Sequence, residues 1–83
     1  MKKETPITIN ISVDEFVGRK VKEERDTQKI YQQDLAKKVG LSAMGLSWLE
    51  RGKRSWKPSR LEKIAAELKK PITNFLPPNN SLV

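Results

Sequence analysis

The stretch "LSAMGLSWLERG", residues 41 to 52, combines side chains that a helix buries with side chains that could contact another molecule. At helical spacing, Leu46 and Leu49 fall on one face and are suited to a core. The other face carries hydroxyl, methyl, thioether and indole groups: Ser42, Ala43, Met44, Ser47 and Trp48. Trp48 decides the interpretation, because an indole on that face is either a partly buried packing residue or a contact to something outside the chain.

Composition excludes several kinds of chemistry. The 83 residues include no cysteine and no histidine, so a disulfide framework, a thiolate zinc site and a histidine-assisted nucleophile are all excluded. We find no metal-ligand cluster, glycine-rich phosphate loop or paired carboxylates in a plausible cleft, and we therefore expect no enzyme, no metal and no cofactor. No run of residues is long and apolar enough to cross a membrane, and we expect one small cytoplasmic domain without a membrane partner.

Positive charge is concentrated in one part of the chain. The protein has 17 basic and 10 acidic residues, a net charge of +7. Between Lys37 and Arg60, seven basic residues accompany the single acid Glu50, so this window carries +6. Such a surface attracts polyanions, of which nucleic acid is the usual one. From charge alone, a merely solvated face explains the window equally well.

Four helices have recognisable starts and stops. Ser12 and Glu15 form an S-x-x-E capping box for helix one. Helix two spans 32–39 and is stopped by Gly40, after which Ser42 caps helix three, 42–51, which ends before Gly52. Helix four begins near Pro58, and a short fifth helix is expected over 71–76. These elements divide the chain into an N-terminal arm, 1–13, a helical domain, 14–76, and a tail, 77–83.

The N-terminal arm alternates strictly between apolar and polar residues. Ile7, Ile9, Ile11 and Val13 would share one face of a β-strand. Apart from the last few residues, "NSLV", the chain offers this strand no strong partner. We expect either pairing with the same strand of a second subunit or a flexible arm. Under the first interpretation, Ile7, Ile9 and Ile11 form the dimer strand.

Residues 32–53, "QQDLAKKVGLSAMGLSWLERGK", resemble the helix-turn-helix of the phage-repressor (Cro/CI, xenobiotic-response-element) family of DNA-binding proteins. The following residues match the family pattern in register: Gln32, Leu35, Ala36, Gly40, Leu41, Ser42, Leu46, Ser47, Glu50 and Gly52. The resemblance implies an all-α, five-helix Cro/CI-repressor-like domain, to which the N-terminal strand is an addition. Helix three would be the recognition helix in the major groove of DNA.

The resemblance also implies roles for individual residues. Those at positions of base contact are Ser42, Ala43, Met44, Ser47 and Trp48, and those at positions of phosphate contact are Gln32, Arg51, Lys53, Arg54 and Lys57. Arg25 and Glu50 match a structural ion pair. Three departures put the exact contacts in question: Tyr31 replaces the usual Ser or Thr cap, Gly45 interrupts the recognition helix, and Trp56 stands where proline is common.

The family resemblance implies a sequence-specific regulator of transcription that binds double-stranded DNA. We expect a repressor that binds a near-palindromic operator as a homodimer, since one recognition helix buries little surface. The alternative is an antitoxin that regulates its own operon and has a toxin as its protein partner.

Overall fold

The structure, a computed structural model, describes residues 12–78. These residues form four α-helices and a 3-10 helix: α1 (Val13–Thr27), α2 (Gln32–Lys38), α3 (Ala43–Glu50), α4 (Pro58–Leu68) and η1 (Ile72–Phe75). No helix in this part of the chain has the length and apolar character needed to cross a bilayer.

The predicted fold class was wrong at both ends of the domain. Instead of the end of a strand, Ser12 is the N-cap of α1 and Val13 is its first helical residue. The Oγ of Ser12 accepts a hydrogen bond from the amide of Glu15 (3.1 Å), and the Glu15 carboxylate accepts one from the amide of Ser12 (2.9 Å). This confirmed capping box starts the helix where the alternating pattern predicted extended backbone. Residues 12–78 contain no strand, and Ile7, Ile9 and Ile11 lie outside the described residues.

The fifth α-helix was also wrong, because Ile72–Phe75 is a single 3-10 turn. Pro71 precedes it, and Pro77 follows Leu76, whose backbone is extended at φ −98° and ψ 146°. A residue before proline is pushed out of the α region, so only four residues remain for the helix. Phe75 nevertheless reaches the core and is fully buried.

The turn between α2 and α3 follows from a glycine and a cap. Gly40 has φ +76°, and the amide of Leu41 donates to the carbonyl of Ala36 at 2.8 Å. This is the Schellman arrangement, which ends α2 and leaves the chain free to turn within a few residues. Ser42 then starts α3 by accepting a hydrogen bond from the amide of Gly45 at 2.9 Å. The two helices therefore take up the predicted helix-turn-helix connection.

A single core lies between the helices. Its fully buried members come from every element: Val17, Val21, Leu35, Ala36, Val39, Leu46, Leu61, Ile64, Ala65, Leu68 and Phe75. Helix α1 packs against α3 and η1, and α2 packs against α3. The inward side of α3 is therefore covered by two other helices, which leaves the opposite side facing solvent.

Gly18 allows α1 to lie directly against the end of α3. A Cβ atom at this position would lie 2.5 Å from the carbonyl oxygen of Glu50 and closer still to that of Leu49. Real Cβ atoms do not come so near to backbone oxygen. The absence of a side chain at Gly18 therefore sets the distance between the two helices.

Candidate nucleic-acid interface

Helix α3 has one buried and one open side. Leu46, Leu49 and Glu50 are buried, whereas Ala43 and Met44 are exposed and Ser47 and Trp48 are half-buried. At about 100° per residue, the four open residues cover an arc of about 140°, with Ala43 and Trp48 at its edges. Ser42 is exposed just before this arc. The residues predicted to contact bases are thus brought together on one surface, which we call the α3 face.

Met44 is the most unusual member of the α3 face. Its side chain is 61% exposed although it is apolar, and its position is central in the arc. The first turn of α3 contains no acidic residue, so no carboxylate there repels an anion. Met44 therefore forms an apolar surface beside the positively polarised N-terminal end of α3.

A cleft of about 320 Å³ lies beside the α3 face, between α3 and the start of α4. Its floor is formed by Leu41, Gly45 and Leu49. Its rim carries cations: Arg54, Lys57 and Arg60, together with the hydroxyl of Ser55. A side chain on Gly45 would extend into this crowded region, since its Cβ would lie 3.2 Å from the Oγ of Ser42.

The start of α4 adds to the positive character of this cleft. Its N-cap, Lys57, makes no side-chain capping bond, and no acidic residue lies in the first turn. By contrast, α1 carries Asp14 and Glu15 in its first turn. Arg51 and Lys53 are exposed beyond the end of α3. Four of the five residues predicted to contact phosphate (Arg51, Lys53, Arg54 and Lys57) therefore lie just after α3.

Gln32, the fifth predicted phosphate contact, is placed differently. Its side-chain amide donates a hydrogen bond to Oε1 of Glu50 at 2.9 Å. One of the two amide N–H groups is thus directed toward the inside of the domain, and an amide nitrogen has a second N–H to donate. Gln32 is consequently part of the network that holds α3.

The centre of this network is a buried ion pair between α1 and α3. Nε and Nη2 of Arg25 donate to the two carboxylate oxygens of Glu50 at 2.8 and 3.1 Å, and Nη1 donates to the carbonyl of Ile30 at 2.9 Å. Arg25 is 7% exposed and Glu50 is 4% exposed. The hydrogen bonds that Arg25 donates to Glu50 raise the pKa of Arg25; burial opposes this effect, and the negative charge of Glu50 adds to it. Arg25 therefore stays charged, and the pair connects α1 to the last residue of α3.

The two tryptophans behave differently. Trp56 packs against the core, donates from its indole nitrogen to the carbonyl of Leu49 at 3.0 Å, and donates from its backbone amide to Asp14 at 2.9 Å. Trp48 remains half-buried on the α3 face, and the guanidinium carbon of Arg54 lies 4.5 Å from the centroid of its ring. This distance is typical of a cation–π contact. Trp56 thus supports the fold, whereas Trp48 lies beside a cation at the surface.

Two residues near this surface were missed by the sequence reasoning. Arg60 lines the basic cleft, and its position one turn after Lys57 could have indicated this. Tyr31 was considered only as a poor helix cap; it makes no capping bond, is 74% exposed and lies with Ala43 around a shallow notch of about 350 Å³. The sequence could have indicated an exposed surface role for Tyr31, because a large aromatic residue stands where a small capping residue is usual.

A family comparison decides how this geometry should be classified. Residues 21–75 match the model of a family described as helix-turn-helix, and this span includes α2, α3, the basic cleft and η1. The chain belongs to the helix-turn-helix family of the Cro/CI type. In this helix-turn-helix domain, α3 occupies the position of the recognition helix.

One curated relative is described as a transcriptional regulator. The domain is 36% identical over 63 residues to an uncharacterized transcriptional regulator in the ATPase CF(0) region of Rhodospirillum rubrum. The match covers 76% of this chain and 58% of that protein, so the chain spans little more than half of the relative's length.

Solved structures share the fold. The clp gene regulator ClgR from C. glutamicum superimposes with a TM-score of 0.75 at 22% identity, covering 77% of this chain and 83% of that one. The restriction-modification controller protein C.AhdI from Aeromonas hydrophila gives a TM-score of 0.68 at 25% identity, with coverage of 72% and 87%. The fold also matches 36% of hydroxypropylphosphonic acid epoxidase from S. wedmorenis, with a TM-score of 0.75, 22% identity and 81% of this chain covered. The shared fold alone therefore does not exclude an enzyme; the chemistry of the site must do so.

Proposed function

We propose that this protein is a transcriptional regulator that binds double-stranded DNA sequence-specifically, and that it is a repressor acting as a homodimer. The observation that carries this proposal is the α3 face, an exposed surface on the recognition helix with cations beside it. Repression requires only that the bound protein cover its site.

The α3 face suits base recognition by contact with methyl groups. Ala43 and Met44 are exposed and apolar, and apolar side chains recognise thymine through its C5 methyl group. The hydroxyls of Ser42 and Ser47 can each donate one hydrogen bond and can also accept, although the Ser42 oxygen already accepts one from the amide of Gly45. These residues, with Trp48, are our candidates for contact with base edges.

Phosphate contacts are proposed on the flank of the α3 face. Arg51, Lys53 and Lys57 are exposed there, and Arg60 joins them at the cleft. Gln32 can use its second amide N–H toward a phosphate while it bonds to Glu50. Such contacts set affinity and orientation without selecting sequence.

The proposed dimer rests on the size of the recognition surface. One helix of eight residues, Ala43–Glu50, contacts few base pairs, and proteins of this type bind two half-sites about 34–36 Å apart. We therefore propose a near-palindromic operator whose symmetry matches that of the protein. None of the relatives above is described as an antitoxin.

Selection of bound duplexes from a random DNA pool, followed by mass measurement of the complex, tests the proposal. We expect enriched sequences with two related half-sites about 10 base pairs apart, and two protein chains per duplex. A pool without any enriched sequence would refute sequence-specific regulation. One chain per duplex on a single half-site would refute the dimer alone.

Substitution of Met44 tests the α3 face directly. We expect Met44→Ala to lower affinity for the selected duplex about tenfold and to leave affinity for random duplex nearly unchanged, because apolar base contacts carry specificity. Fluorescence anisotropy titrations against both duplexes measure this difference. Val13→Ala is the matched control, since Val13 is also an exposed apolar residue but lies at the start of α1. Equal losses on both duplexes for Met44→Ala would contradict a base-reading role.

A further inference from the structure

The contact between Trp48 and Arg54 changes the roles expected of these two residues. Sequence reasoning assigned base contact to Trp48 and phosphate contact to Arg54. In the structure, the Arg54 guanidinium lies 4.5 Å from the centre of the indole ring, which is itself part of the α3 face. Arg54 is therefore placed at the edge of the base-reading surface.

The α3 face lacks a side chain that can form a bidentate pair with a purine. Apart from the hydroxyls of Ser42 and Ser47, its side chains carry methyl, thioether and indole groups. An indole has a single N–H donor and no acceptor, so Trp48 cannot form a bidentate pair with a base. An arginine can, and its commonest specific contact in DNA is with O6 and N7 of guanine.

Phosphate binding does not depend on Arg54. Arg51, Lys53 and Lys57 are exposed on the same flank and can neutralise phosphates. A phosphate contact tolerates a mobile side chain, whereas a bidentate base contact needs a defined orientation of the guanidinium. Stacking on an aromatic face provides that orientation and leaves the N–H groups at the edge of the guanidinium available.

We propose that Arg54 is a specificity-determining residue that reads a guanine at the edge of the half-site, and that Trp48 is the positioning residue that holds it. This inference rests on the proposed function and refines it. The half-site then combines apolar contacts to thymine from Ala43 and Met44 with a guanine opposite Arg54.

Exchange of Arg54 for lysine separates base reading from charge. Arg54→Lys keeps the positive charge but replaces the planar guanidinium fork, which the indole orients, with a flexible ammonium group. We expect it to lose about tenfold or more of the discrimination at one G·C pair of the selected duplex, while the dependence of affinity on salt stays unchanged. Arg19→Lys is the matched control, because Arg19 is also exposed and lies 5.9 Å from the centre of an aromatic ring, that of Phe16, but is on α1, and it should keep the full preference.

Substitution of Trp48 tests the positioning role. Trp48→Leu should lose preference at the same G·C pair as Arg54→Lys, and Trp48→Phe, which keeps an aromatic face, should retain much of it. In the free protein, NMR should show ring-current shifts of the Arg54 side-chain protons that Trp48→Leu abolishes. The dispersion of the backbone amide resonances in the same spectra shows that the variants are folded.

The outcomes are distinct. If Arg54→Lys selects the same duplexes as the unmodified protein with the same discrimination, Arg54 does not read a base and the inference is overturned. If Trp48→Leu keeps a guanine preference that Arg54→Lys has lost, the positioning role is overturned. If the unmodified protein enriches no duplex at all, the proposed function fails, and the inference fails with it.

Discussion

Glu50 illustrates how a single buried charge can orient a recognition helix. Its carboxylate accepts hydrogen bonds from Arg25 of α1 and from Gln32 of α2, so three helices meet at the last residue of α3. Replacing such a pair with apolar residues is often neutral, but removal of one partner leaves an uncompensated charge in a dry environment. The network therefore makes the orientation of α3 depend on one side chain.

We expect Glu50→Gln to lower the free energy of unfolding by about 3 kcal/mol, because Arg25 would lose its buried counter-charge and keep only the exposed carboxylate of Asp26, 3.6 Å from Nη1. Urea unfolding followed by circular dichroism measures the loss. Glu23→Gln is the control, since Glu23 pairs with Lys20 at 3.7 Å on the exposed side of α1 and surface pairs contribute little. Similar shifts in the two variants would show that burial of the Arg25 pair is unimportant.

At the scale of elements, the position of α3 depends on how closely α1 approaches it. Gly18 makes that approach possible because a Cβ there would collide with the carbonyl groups at the end of α3. Backbone oxygen atoms cannot move aside as a flexible side chain can. The short distance between α1 and α3 therefore depends on the absence of a side chain at position 18.

Gly18→Ala should lower stability by about 1–3 kcal/mol, because overpacking forces the helices apart. It should also weaken binding to the selected duplex, since the end of α3 would be displaced. Thermal unfolding and a DNA titration measure the two effects. Gly45→Ala serves as a second Gly→Ala exchange within a helix, where the added Cβ meets only side-chain atoms at 3.2 and 3.8 Å. A milder effect at Gly18 than at Gly45 would contradict the packing account.

Helix ends provide a second test at this scale. Gly40 and Lys29 both adopt a left-handed backbone, with φ +76° and +59°, but only glycine does so without a penalty. We expect Gly40→Ala to cost about 1–2 kcal/mol by conformation alone, since no atom lies within 4 Å of the added Cβ. Lys29→Gly should raise stability by up to about 1 kcal/mol. Chemical denaturation of both variants gives the sign of each change in the free energy of unfolding. A lower free energy of unfolding for Lys29→Gly would be inconsistent with strain at that residue.

At the scale of the whole molecule, charge is segregated. Three cations after α3 line one cleft, whereas two acidic residues of α1 pair with neighbouring lysines: Asp26 with Lys22 at 3.0 Å and Glu23 with Lys20 at 3.7 Å. Hydrogen bonding from Lys22 lowers the pKa of Asp26, so this pair remains ionised until well below neutral pH. The protein therefore presents one strongly cationic side to a polyanion.

We expect the cationic residues on this side to determine how strongly DNA affinity depends on salt concentration. We expect Lys57→Ala to weaken binding to all duplexes and to make the slope of log affinity against log salt concentration shallower by about one unit, because one phosphate contact is lost. Titrations at several salt concentrations measure the slope. Lys70→Ala is the control, as it removes the same charge beyond the opposite end of α4, about 18 Å along the helix axis from its start. Equal changes of slope for both variants would point to net charge and against a defined contact.

Short-range interactions made much of the domain predictable. The capping box at Ser12, the glycine at position 40 and the cap at Ser42 act over three or four residues, and they place α1, α2 and α3 within a residue or two of the expected bounds. The same local interactions explain why the strand prediction was wrong at Val13. The capping box starts a helix there although the apolar and polar residues alternate as in a strand. The pattern of family residues from Gln32 to Gly52 identified the helix-turn-helix.

Apart from the ion pair between Arg25 and Glu50, which the family resemblance implied, contacts between residues far apart in sequence came only from the tertiary structure. The close approach at Gly18, the inward hydrogen bond of Gln32 to Glu50, and the placement of Arg60 in the cleft depend on how α1, α2 and α4 pack around α3. The stacking of Arg54 on Trp48 depends on the path of the loop after Gly52. Sequence determined which helices form, since caps and periodicity act locally. Packing decided which side chains of those helices stay available to DNA, because that depends on what the rest of the chain covers.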